Sequence, residues 1–200
     1  MKIVSSRPTI TRKELEGVLD CLIHDELTTG ETVKNFEQEI SSIAGLRHAL
    51  AVSSITAAYH LIFHALDVDA ESEVIIPSLF PQAPLNALRL NGGRAVLVDS
   101  EENSLFPSAE EIRSKITEKT KAVVIGHTFG YHFDLASLGE LPVPVIEDIS
   151  HAFGSEINEE QVGRKGAFTV LSFAPQMIVT TGTGGMVLTN NSRAYATMKE

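Results

Sequence analysis

The chain has 200 residues, 43 % of them apolar and 21 % charged, with a formal net charge of −10. That composition is ordinary for a soluble globular protein and disfavours nonspecific binding to nucleic acid or to an anionic membrane. A single cysteine, Cys21, excludes an intramolecular disulfide framework, and no apolar run approaches the ~18 residues of a membrane span. Met1 to Pro8 lacks the long apolar stretch of a signal peptide, so the cytoplasm is the expected compartment.

In chain order, Thr11 to His24 reads as a helix, with Thr11 as N-cap and Glu14 completing a capping box. Cys21 lies among Val18, Leu19, Leu22 and Ile23, where it is expected to be buried helix filler. Leu27 to Gly30 is a break. Glu31 to Ala44 is a second helix, periodic through Val33, Phe36, Ile40 and Ile43 and ended by Gly45. His48 to Val52 is a short strand, and Thr56 to Leu66 an apolar helix. His60 and His64 are spaced one turn apart on that helix, but no third ligand accompanies them, so no metal site is expected.

The following strands are continuous apolar runs: Glu73 to Pro77, Arg94 to Asp99, Lys121 to Gly126, Val143 to Asp148, Ala167 to Phe173 and Gly185 to Leu188. Such runs imply strands buried on both faces, as in parallel sheets covered by helices. Helical stretches lie near Pro84 to Leu90 and Ser108 to Lys115. The expected fold is a three-layer α/β domain with a mainly parallel sheet. Asp99, His127 and Asp148 fall at the C-terminal ends of strands, where open α/β sheets bind ligands.

Several motifs occur together. Gly30 to Glu37 reads G-x-x-V-x-x-F-E, Glu73 to Pro77 reads E-V-I-x-P, His127 to Asp134 reads H-x-x-G-x-x-x-D, and Val145 to Asp148 reads V-I-E-D. In this order they resemble the DegT/DnrJ/StrS-type sugar aminotransferases, over nearly the whole chain. The resemblance implies the large cofactor domain of an aspartate-aminotransferase-like fold over residues 1–200, with residues 1–30 as an N-terminal helical arm and no small C-terminal domain. It implies pyridoxal phosphate as cofactor, a dimer, and nucleotide-sugar chemistry in amino-sugar or polysaccharide formation.

The same resemblance locates the site and its departures. The family's cofactor-lysine segment, S-F-x-x-x-K-x-x-x-x-G-E-G-G, aligns with Ser172 to Gly185 and places Met177 where the lysine belongs. A lysine amine condenses with the cofactor aldehyde and then moves protons; a thioether does neither. The phosphate-cradling S-G-T-A-A-L is here Ser54-Ile55-Thr56-Ala57-Ala58-Tyr59, with Ile55 in place of glycine. Ile55 resists close backbone approach and positive φ, and an alternative role for Ser54 or Thr56 is to cap the helix start. Asp148 matches the aspartate that pairs with the pyridine nitrogen, His151 a position near the ring, and Ser172 the serine that reaches the phosphate. The ring-stacking position aligns with Pro81, displacing Phe80 by one, and Thr183 replaces a glutamate.

The resemblance implies as cofactor-binding residues Ser54, Ile55, Thr56, Phe80, Asp148, His151 and Ser172, with no catalytic residue and any pyridoxal or pyridoxamine phosphate held noncovalently. Three functions remain open. The chain is a noncatalytic partner or regulatory subunit of an aminotransferase-family protein, as a homo- or heterodimer. Alternatively it is a lysine-independent enzyme on a nucleotide-linked keto sugar, with His127 or His151 as base. The third is a truncated gene product without a role.

Overall fold

A computed structural model of the chain describes residues 7–24 and 28–200. Leu27, in the expected break, lies outside the described residues, as do residues 1–6 of the expected N-terminal arm. Helix α1 (Arg12–Ile23) starts as its capping box requires: Thr11 accepts from the Lys13 amide, and Glu14 reaches back to the Thr11 amide at 2.7 Å. The Thr11 hydroxyl first, and then its amide, donate to the exposed Glu14 carboxyl and hold it below its usual range. The helix buries none of its residues. Leu15, Val18, Leu19, Leu22 and Ile23 are exposed, and Cys21 is only half-buried, with its Sγ 3.9 Å from Thr32 Oγ1. The expectation of a buried Cys21 is corrected, because no described element covers its apolar neighbours.

Helix α2 (Glu31–Ala44) buries Ile40 and Ala44 and leaves Ile43 outside, so its stripe ends on Ala44. Gly45 stops it in the left-handed region at φ 66. The Arg164 guanidinium lies where a Cβ on Gly45 would stand, and Arg164 Nε donates to Ala44 O at 2.8 Å. Gly45→Ala is therefore expected to cost ~1–2 kcal/mol from left-handed backbone alone, measurable as a lower urea midpoint with unchanged slope.

The centre is a seven-stranded sheet in the order β1 (His48–Val52), β9 (Gly185–Thr189), β8 (Phe168–Ser172), β5 (Val145–Asp148), β4 (Thr120–Gly126), β2 (Glu73–Pro77) and β3 (Arg94–Val98). Every neighbouring pair is parallel except those of β9, which runs against both β1 and β8. A short hairpin, β6 (Glu156–Ile157) and β7 (Glu160–Gln161), stands apart. It has no apolar run and was not foreseen from sequence.

Helices α3 (Ile55–Ala65), α4 (Ala83–Leu90) and α6 (Ser192–Lys199) cover one face, packing Ile62, Phe63 and Leu88 onto Val74, Val124, Ile146 and Val170. The other face is covered by α2 near β1 and β9, and by α5 (Ala109–Ser114) near β2, β3 and β4. The three layers are those expected. Strands β8 and β9 are buried throughout. The run Arg94 to Val98 departs from the expectation of two buried faces: Arg94, Ala95 and Leu97 are exposed. β3 is an edge strand paired on one side only, and apolarity does not reveal position in a sheet.

Candidate functional site

The C-terminal ends of β4, β5 and β8 open onto one cavity of about 270 Å³. Its wall includes Ile55, Phe80, Asp148, His151, Ser172 and Met177. The structure thus gathers residues separated by up to 122 positions in the chain, from Ile55 to Met177 (177 − 55). Alternation along β5 sends Asp148 to the α3 face and Glu147 to the other.

Asp148 is 7 % exposed and held twice. Its Oδ1 accepts from the Ser150 amide at 2.9 Å, and its Oδ2 accepts from the Tyr59 hydroxyl at 2.8 Å. Tyr59 is wholly buried on α3. Burial first, then the negative charge of Asp148 and the bond to it, push the phenol well above its usual range, so it stays protonated and donates.

Ser54 caps α3, its side chain accepting from the Ala57 amide at 3.1 Å, while Ile55 is the first helical residue. Ile55 is not among the residues with positive φ, so the expected objection from backbone strain does not apply. Its side chain packs on the core and lines the cavity at the positive end of the helix. Ser54 and Thr56 do not reach the cavity wall. Strand β9 approaches this turn closely, since a Cβ on Gly185 would stand 2.6 Å from the Ser54 carbonyl.

Phe80 and Pro81 both line the cavity. The Phe80 ring lies over Gly126, where a Cβ would meet Phe80 Cε2 at 2.1 Å. Glycine at the end of β4 is what admits the ring. On the opposite side Met177 follows a turn closed by its amide on Ala174 O at 3.0 Å. Ser172 is buried, its hydroxyl accepting from the Ala174 amide and its own amide donating to Ser150 Oγ at 2.9 Å.

Neither histidine named from sequence as a base offers the cavity a free ring lone pair. His127 is 1 % exposed; its Nδ1 accepts from the Phe133 amide at 3.3 Å, so Nε2 carries the proton and donates to Glu147 at 3.2 Å. His151 Nδ1 accepts from the Phe129 amide at 3.3 Å, and its ring stacks on Phe129 at 5.7 Å. That bond makes the neutral ring protonated at Nε2, a donor rather than a base. Nearby His132 is pushed below its usual range by burial and by His127, and its Nε2 has no partner among the described residues.

Asp99, the remaining strand-end candidate, is exposed, accepts from Ser78 Oγ at 2.5 Å, and does not line this cavity. His60 bonds through Nδ1 to Asn91 Nδ2 at 2.7 Å. Sequence reasoning missed Tyr59 and Gly126. The signal for Tyr59 was its spacing, one helical turn after Ile55 on the same face of α3.

Comparison with known proteins places this geometry. The sequence profile of the DegT/DnrJ/EryC1/StrS aminotransferase family matches residues 8–200. The chain is 36 % identical over 194 residues to GDP-perosamine synthase of Escherichia coli O157:H7, covering 94 % of this chain and 53 % of that protein. It superposes with a TM-score of 0.92 on the PLP-form of Spr1654 from Streptococcus pneumoniae, at 25 % identity, covering 100 % of this chain and 57 % of that one. The TM-score is also 0.92 for the aminotransferase TlmJ from Streptoalloteichus hindustanus, at 31 % identity over 99 % of this chain and 56 % of that one. The chain therefore spans about half the length of these relatives. A matched profile over nearly all its residues, together with the shared fold, shows that the chain belongs to the DegT/DnrJ/EryC1/StrS aminotransferase family.

Proposed function

We propose that the chain is a noncatalytic, cofactor-binding subunit of nucleotide-sugar amination, acting in a dimer with an aminotransferase-family partner. The observation that carries this is Met177 on the wall of a cavity that still presents Asp148. The binding half of the site persists without the amine that does the chemistry.

The residues present fit a pyridoxal-type group held noncovalently. Asp148 supplies an anionic acceptor for a ring nitrogen, with both oxygens already fixed by donors. The start of α3 beside Ile55 favours an anionic group. Phe80 offers an apolar wall and His151 an N–H donor. When bound, such a group supplies an electron sink for bond changes beside a substrate nitrogen. This chain's residues bind and orient it. Met177 cannot form the covalent link or carry the proton.

A lysine-independent enzyme would need a base in the same cavity. His127 has both nitrogens engaged, and His151 presents a proton rather than a lone pair. The noncatalytic role is therefore preferred. The Spr1654 protein is known in both a PLP-form and a PMP-form, which makes the pair of ligands worth testing together.

The test is an absorbance titration of the purified chain with pyridoxal phosphate and pyridoxamine phosphate. Both are expected to bind reversibly, with full loss of cofactor on gel filtration and no transamination by the chain alone. Turnover of a nucleotide-linked keto sugar by the isolated chain would overturn the proposal, as would failure of both ligands to bind.

A further inference from the structure

Among the described residues, Asp148 is the one carboxylate that lines the cavity, and no lysine or arginine lines it. A buried carboxylate without a counter-charge is costly unless donors replace the water it has lost. Here the Ser150 amide and the Tyr59 hydroxyl do so, from two different elements. The amide is supplied by the turn itself, whatever the side chains. The phenol is a side-chain choice: Tyr59 stands where the family pattern S-G-T-A-A-L carries leucine. A leucine there would fill the core and leave Oδ2 without this donor. Tyr59 is 0 % exposed and packs beside Phe63 at 6.0 Å between ring centres, so its hydroxyl is confined to Asp148.

We infer that Tyr59 is a positioning residue whose hydroxyl keeps the Asp148 carboxylate ionised and fixed, so that the cavity selects a ligand presenting a cationic ring nitrogen. This rests on the pyridoxal-type ligand proposed above. The loss of the lysine at position 177 and the gain of a phenol at position 59 are then linked. The first removes the positive charge from the cavity, and the second stabilises the negative charge left behind. A carboxylate that already accepts two bonds is a weaker base, so a shared proton rests on the ring nitrogen.

The other titratable groups around Asp148 do not account for such a state. His127, at the end of β4, has both ring nitrogens engaged away from Asp148. His151, in the turn after β5, is tied to the Phe129 amide. Glu147 bonds to His127, Gly163 and Gly166 on the other face of the sheet. Strand β8 contributes Ser172 to the wall and no titratable group.

The test has two readouts. The Asp148 carboxyl is titrated by ¹³C NMR in the ligand-free chain, with Asp148→Asn assigning the signal. Pyridoxamine phosphate binding is then followed from mildly acidic to mildly alkaline pH. Tyr59→Phe removes one oxygen and keeps the ring; Tyr59→Leu restores the family residue. Both are expected to move the Asp148 titration to higher pH, and the onset of binding with it. Below that onset, affinity should fall ~10-fold for each further drop of one in pH. An unmoved titration and pH profile, with only a lower thermal midpoint, would make Tyr59 core filler and overturn the inference. A moved titration with an unchanged binding profile would overturn the claim about ligand charge. If wild type binds neither pyridoxamine phosphate nor pyridoxal phosphate at any pH, the proposed function fails instead, and the ligand-free titration still decides what Tyr59 does to Asp148.

Discussion

Met177→Lys is expected to convert a reversible binder of pyridoxal phosphate into a covalent one. After borohydride reduction, the intact mass of the variant should rise by one cofactor less the water lost in condensation and plus the two hydrogens added by reduction, while the wild type is unchanged under the same treatment. Met177 lines the same cavity as Asp148, at the end of a turn fixed by its amide on Ala174 O. Lysine and methionine are both unbranched, so the backbone there need not move to accept the amine. An absent mass shift in a variant that still binds the cofactor reversibly would mean that position 177 does not face the aldehyde. It would show that an amine at position 177 is not sufficient to rearm the site.

Glu147→Ala is expected to cost ~3–5 kcal/mol in urea unfolding, the largest stability loss predicted for a polar substitution here. Glu147 is 1 % exposed and accepts three bonds: from His127 Nε2 at 3.2 Å, from the Gly163 amide at 3.0 Å, and from the Gly166 amide. Truncation strands two buried donors, on His127 and Gly163, and a part-buried one on Gly166, each buried donor costing ~1–3 kcal/mol when unsatisfied, with relaxation and water recovering part. The loss should propagate to the site, because Glu147 orients His127, which lines the cavity. Glu147→Gln, which keeps an acceptor in place, should cost less than Glu147→Ala. A cost within ~1 kcal/mol for Glu147→Ala would show that the turn through Gly163 and Gly166 holds itself without the carboxylate.

Glu147 and its neighbour Asp148 have unlike roles. Asp148 and Glu147 are adjacent in the V-I-E-D motif, yet strand alternation sends one to the cavity and the other beneath the loop that carries Gly163. Sequence singled out Asp148 as a candidate to face a ligand, from its place at a strand end, and the structure puts it on the cavity wall. Sequence offered no role for Glu147, because a buried carboxylate is recognised only by the donors that converge on it.

Much of the fold was legible in the chain. The strand His48–Val52, the helix Glu31–Ala44 and the strand Glu73–Pro77 appear with the bounds read from periodicity, and Thr11 and Gly45 mark helix ends by chemistry local to each. Helix and strand periods, caps and turn glycines depend on neighbours a few residues away, so they survive translation from sequence to structure. The edge position of β3, the reversed direction of β9 and the exposure of α1 were not legible. Each depends on which element lies alongside, and an apolar run has the same composition at the centre and at the edge of a sheet.

The site divides along the same line. From the sequence came the strand ended by Asp148, and from its family resemblance the expectation that Met177 stands where a lysine belongs and Ile55 where a glycine does. Only the tertiary structure decided that these residues share one cavity, that His127 has both ring nitrogens engaged while His151 accepts through Nδ1, and that Tyr59 is bonded to Asp148. A residue type and its spacing express what a side chain is able to do. What it does depends on the partner brought to it from elsewhere in the chain, and Tyr59 and Asp148, 89 positions apart, meet only because α3 packs across the end of β5.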